Sequence, residues 1–234
     1  MSLNLYAGSL QRFYRRNFER PAERYARKQG FKYTLITPGN NTAFSKDEAQ
    51  EHIKEMKIFL AEKATFTSIW NEDFASYYTE ELTYQGHSAL YYVAAMVGLN
   101  RPIQPKNASE IETFSLKSIG LDRQQCADSP AIVFEADIIY PGGESNMAIF
   151  IAENGEQLIV PNLDWLYAIL LQIEDVVWPG AVDINKWLQR GPLAENDVKD
   201  IDDYITQNAQ YAFAVYRSTL DFALKNNVPI VLDM

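Results

Sequence analysis

Asn154-Gly155 stands between two short apolar runs, Met147 to Glu153 and Glu156 to Val160, and no other feature constrains the chain as much. A two-residue type I′ turn needs positive φ at both central positions, which Asn and Gly tolerate, and its twist suits antiparallel strands. With Ala131 to Tyr140 ahead of them, these runs predict an antiparallel meander over about 131–160. The remaining apolar periodicities are helical, so the expected class is α+β, the meander packed against several amphipathic helices.

Leu3 to Ala7 suits a short first strand. From Ser9 the period changes: Leu10, Phe13, Tyr14, Phe18, Ala22 and Tyr25 recur at helical spacing, with Arg12, Arg15, Arg16, Arg20 and Arg27 largely outside that stripe. Pro21 lacks an amide and predicts a kink or restart, and Gly30 an end. Phe31 to Ile36 reads as a strand. Ser45 with Glu48 matches a capping box for a helix running to about Lys63. Ser88 to Leu99 predicts a helix, and residues 100–130 a long connection with one candidate strand near Glu112 to Leu116. A helix after Asn162 or Asp164, a short one over Ile184 to Gln189 and a long one from about Asn196 follow. The tail Val228 to Leu232 predicts an edge strand, where proline is tolerated.

One core can serve a chain of 234 residues, and with 47% hydrophobic residues the expectation is a single globular domain over 1–234. The lone Cys126 cannot form an intrachain disulfide, and no run is long enough to span a bilayer. Met1 to Leu10 lacks a signal-peptide pattern. Together these predict no membrane partner and a reducing, cytoplasmic location. The net charge of −10 is uneven: residues 1–32 carry eight Arg or Lys against two acids, a net +6, which leaves −16 on the remainder. Such a balance disfavours nucleic acid and favours a basic partner.

Gly86-His87-Ser88-Ala89-Leu90 imitates a nucleophile elbow, but Leu90 replaces its second glycine and no histidine follows Ser88. Ser88 as a helix cap with Gly86 in the turn is the simpler reading. Two histidines, His52 and His87, and no paired Cys motif leave no metal site, and no phosphate-binding loop calls for a cofactor. His52, flanked by Glu51 and Glu55, reads as part of a solvated face, and Cys126, among acids, as an inert thiol. Glu80 and Glu81 are adjacent and diverge. Glu135 and Asp137, two apart on an expected strand, would share a face, a spacing compatible with acid and base work by paired carboxylates or with the solvent face of a sheet.

Two function classes follow. The first is a non-enzymatic binding protein, an inhibitor of immunity type, holding a basic protein through rings and acids: Trp70, Asp73, Tyr77, Tyr78, Glu81, and Asp197, Asp200 and Asp203 at the head of the last long helix. The acids of that last group also complement a helix dipole. The second is a carboxylate-dependent hydrolase or lyase for a small or sugar-like substrate, with Glu135 and Asp137 catalytic. The oligomeric state is left open.

Overall fold

The computed structural model describes residues 3–32, 43–64, 70–104, 107–142, 147–151, 157–180, 182–192 and 200–233. Its class is α+β, an antiparallel sheet set among helices. β1 (Asn4–Ala7) is followed by α1 (Leu10–Tyr14) and α2 (Pro21–Lys28). Pro21 does more than kink a helix here. It occupies the first turn of α2, where its missing amide costs nothing, and residues 15–20 between the two helices are irregular.

α3 (Lys46–Ala64) starts at the expected capping box: the Ser45 amide donates to Glu48 Oε2 at 2.8 Å and the Glu48 amide to Ser45 Oγ at 3.2 Å. β2 (Tyr78–Glu81) leads to α4 (Tyr84–Gly98), which begins earlier than expected. Thr83, not Ser88, caps it by accepting the Gly86 amide at 3.0 Å, so Gly86 and Ser88 lie inside the helix.

Residues 107–135 hold more helix than their polarity predicts. α5 (Ala108–Glu112), a 3₁₀ turn (Leu116–Ile119), α6 (Arg123–Asp128) and a second 3₁₀ segment (Pro130–Glu135) replace the expected strand near 112–116. Asn107, Ser115 and Asp122 each accept an amide three residues on, and these local caps stabilise short turns that have no periodicity to announce them.

The meander is split between two sheets. Only β3 (Ile138–Ile139) comes from the expected strand over 131–140, and it pairs with β6 (Ile230–Asp233). β4 (Met147–Ile151) and β5 (Gln157–Pro161) form a separate antiparallel pair. Ile151 lies opposite Gln157, with five residues between, whereas a two-residue turn at Asn154-Gly155 would set Gln157 opposite residue 152. The turn itself, like the expected strand over 31–36 from residue 33 on, falls outside the described residues.

The larger sheet has the order β2-β1-β6-β3, all antiparallel. The tail strand is thus central instead of an edge. Pro229 stays out of the ladder and uses its carbonyl to accept the Gly8 amide at 3.3 Å. Leu3, Leu5, Ala7 and Ile230 enter one apolar cluster, and Tyr6 and Val231 the other. That alternation lets β1 bury every residue, because both its faces are covered.

α7 (Leu163–Val177), α8 (Ile184–Arg190) and α9 (Ile201–Asn226) complete the chain. α4, α7 and α9 fill the first cluster with Leu90, Val93, Leu166, Leu170, Phe213 and Leu220, while α1 and α3 supply Leu10, Ile53 and Leu60 to the second. Asn162 caps α7 by accepting the Trp165 amide at 2.8 Å. Asn162→Ala should lower stability by about 1 kcal/mol, read as a reduced urea midpoint with unchanged slope.

Candidate functional site

The basic N-terminal segment is folded onto the rest of the molecule. Arg12 donates to the carbonyls of Asn17 at 2.8 Å and Ala75 at 2.7 Å, with its guanidinium 5.2 Å from the centre of the Tyr77 ring. Arg24 donates to the Thr79 carbonyl at 2.8 Å, and Arg27 holds Glu19 at 2.7 and 3.1 Å. Arg20 meets Asp233 at 2.7 and 2.8 Å, and Arg16 reaches the same carboxylate at 3.2 Å. Asp233 gained no notice in the sequence, since its partners lie more than 200 residues away.

The N-terminal segment covers Tyr77 of the expected aromatic and acidic partner strip, and other elements take up most of the rest. Trp70 is only 2% exposed: its indole N–H donates to Glu72, its ring lies 5.4 Å from Tyr140, and the Lys57 ammonium rests 4.5 Å above it. Trp70 is therefore core and offers no anchoring ring to a partner. Glu72 accepts the amides of Leu10 and Gln11 at the start of α1. Tyr77 stacks on Tyr6 and accepts the Glu19 amide at 3.0 Å. Tyr78 packs on Phe222, and burial pushes its phenol up to about 12. Glu81 is half-buried, with its carboxyl raised by burial and then by Glu80, and its carbonyl accepts the Tyr211 hydroxyl at 2.6 Å. Asp73 is exposed.

Asp197 falls outside the described residues. Asp200 caps α9 by accepting the Asp203 amide at 2.8 Å, the role that the helix dipole favours. The two groups of predicted partner residues do not meet. The Asn71 amide bonds the Asn227 carbonyl and Phe74 packs on Phe222, so the strip starts at one end of α9, reaches Tyr211 near the middle through Glu81, and stops short of Asp200 at the other end. At 1.5 Å per residue Asp200 lies about 16 Å along the helix from Tyr211 and about 33 Å from Phe222.

Glu135 and Asp137 are brought together, though not as a strand pair. Glu135 closes the second 3₁₀ segment and Asp137 precedes β3, so the alternation expected for 131–139 does not arise and Val133 and Phe134 are both buried. Both acids are exposed at the border of one cavity of about 220 Å³. Met56, Phe59 and Leu60 of α3 form one wall, with Ile138, Tyr140, Ile159 and Val160 opposite. The Tyr91 hydroxyl donates to Glu135, which tethers that carboxylate, and the Tyr140 hydroxyl lies 3.1 Å from the Met56 sulfur.

His87 Nδ1 lies 3.0 Å from the Tyr216 hydroxyl, with Tyr91 and Phe134 packed round the ring. Burial lowers its pKa to about 4, so the imidazole is neutral at pH 7. His52 is half-buried, not fully solvated: it meets Tyr14 edge-on at 4.8 Å and Phe44 at 5.7 Å. The Cys126 thiol is buried and pushed up by that burial and by Glu135. Among the described residues no group of three or more His, Cys, Asp or Glu is placed to hold a metal, and no helix is long and apolar enough to cross a membrane. In comparisons with protein-family models, curated proteins and solved structures, the chain matches none of them.

Proposed function

We propose that this chain is a non-enzymatic binding protein, an inhibitor or immunity-type partner of a basic protein in a reducing, cytoplasmic setting. The observation that carries this reading is the fate of the N-terminal arginines. Arg12, Arg16, Arg20 and Arg24 are turned onto the protein's own oxygens, and Arg27, though exposed, is paired with Glu19, so fewer of the +6 segment's cations stand unpaired before an approaching molecule. Acids meanwhile stand outward on α3, where Glu48, Glu51, Glu55 and Glu62 are all exposed. A net charge of −10 arranged in this way speeds encounter with a cationic surface and repels phosphate backbones.

Capture from a cytosolic extract at low and high salt, with bound proteins identified by mass spectrometry, tests the reading. One basic protein retained at low salt and released at high salt is the expected result. A bound set with no bias towards basic proteins, or one insensitive to salt, would count against it.

The alternative, a carboxylate-dependent hydrolase or lyase, draws support from the shared cavity of Glu135 and Asp137. Against it stands the phenol already bonded to Glu135.

A further inference from the structure

The cavity beside α3 combines two features that suit one kind of occupant. Its walls are apolar, built from Met56, Phe59, Leu60, Ile138, Ile159 and Val160, while Glu135 and Asp137 are exposed at its border. None of the described lining residues is cationic. Lys57, the neighbour of Met56, has its ammonium over Trp70. A purely hydrophobic ligand would offer neither carboxylate a countercharge. A small anion would be repelled by them. A long aliphatic chain ending in a positive charge satisfies walls and border together, because lysine and arginine bury their methylenes and keep the charged head at the rim.

The exposed surface of α3 carries both signs, with Lys46 exposed and Lys54 paired with Glu51 at 3.1 Å, but the stripe next to the cavity is acidic. On α3, Glu48, Glu55 and Glu62 follow at seven-residue intervals, which places them along one stripe, and Phe59, four residues from Glu55 and three from Glu62, turns from that stripe towards the cavity. An approaching cationic segment would therefore meet acids before it reaches the pocket.

We propose that this cavity is the anchoring pocket for a lysine or arginine side chain of the basic partner, its methylenes against Met56, Phe59 and Leu60 and its charge between Glu135 and Asp137. The proposal rests on the binding reading above and gives it an address that differs from the Trp70 and Asp200 regions. Such a side chain buries its methylenes while its charge stays at the rim, and arginine is among the residues enriched where binding energy concentrates at an interface.

The pocket is testable without the partner. Nα-acetyl-lysine methylamide and its uncharged analogue Nα-acetyl-norleucine methylamide are titrated into protein labelled at the methionine methyl groups, and the Met56 resonance is followed by NMR. The lysine probe should give a saturable shift at Met56, with the norleucine probe about tenfold weaker, and Asp137→Asn should weaken the lysine probe by about tenfold. Asp137 is the primary substitution because Glu135 also holds the Tyr91 hydroxyl. Glu135→Gln, which can still accept that hydrogen bond, is the second variant. Equal binding of the two probes, binding indifferent to both substitutions, or no saturable shift at Met56 would overturn the proposal.

The two readings fail separately. Salt-sensitive capture of a basic protein that Asp137→Asn and Glu135→Gln leave unchanged would remove the pocket and keep the partner. A selective lysine-probe response with no basic protein captured would keep the pocket and remove the partner.

Discussion

Asp233→Ala should destabilise the protein by about 3–5 kcal/mol, the range for removing one partner of a buried ion pair. Asp233 is 3% exposed and the Arg20 side chain 9%, with the guanidinium held through both carboxylate oxygens. Deleting the acid leaves that guanidinium desolvated with no countercharge, while Arg16, at 27% side-chain exposure, can turn to water and contributes little. Urea unfolding of Asp233→Ala, Arg20→Met and the double variant separates the cost of an orphaned charge from the worth of the pair. The double variant should recover part of the loss, since an apolar replacement of both partners removes the uncompensated charge. A loss under 1 kcal/mol for Asp233→Ala would mean that Arg20 finds water or another acceptor.

Stability should also fall as the pH drops from about 6.5 to about 4, and His87 should account for up to about 3 kcal/mol of that fall. In the folded protein the imidazole resists protonation until about pH 4, because burial opposes its charged form, whereas in the unfolded chain it takes up a proton near its ordinary 6.5. Between those values the unfolded state binds more protons, so the contribution is complete above about pH 6.5 and lost progressively down to about 4. Glu81 works in the other direction. Its raised carboxyl lets the folded state bind the extra proton above the ordinary carboxylate range, which adds stability as the pH falls. His87→Gln isolates the histidine. Its urea midpoint should vary less over pH 4–7 than that of the unaltered protein, and parallel profiles would show that His87 titrates normally in the fold.

Several short-range signals in the sequence held where their partners were close along the chain, although the cap expected at Ser88 lies at Thr83. Ser45 and Glu48 close the predicted capping box, Asn162 starts α7, and the apolar stripe of α9 becomes its buried face. Each depends on residues three or four apart, so the backbone itself delivers the partner. The same logic misled over 131–139. Alternation there suggested a strand with Glu135 and Asp137 on one face, yet Pro130 opens a 3₁₀ segment and β6 pairs with only two residues. Both acids still reach one cavity, through a bend between elements and not through a strand period.

The partner surface shows the limit most clearly. Rings and acids from Trp70 to Glu81 looked free because the sequence keeps them about 50 residues from the basic segment. Folding sets β1 against β2, which brings Arg12 over Tyr77 and Arg24 onto Thr79, and Trp70 disappears into the second apolar cluster. Composition likewise showed an acidic chain with a basic head, but only the fold decided that Arg12, Arg16, Arg20 and Arg24 turn onto the protein's own oxygens while the α3 glutamates stay in water.

What the sequence by itself determined was the α+β class, the starts of the helices capped at Ser45 and Asn162, and the net negative charge. The tertiary structure decided that the tail strand is central, that Asp233 neutralises Arg20, and that α3, residues 135–140 and β5 enclose one cavity. The division follows from distance along the chain. A cap or a helical stripe is settled by neighbours that the backbone holds in place, whereas a strand partner, a buried ion pair or a cavity wall is chosen among many distant segments by which arrangement buries the most apolar surface and leaves the fewest charges alone.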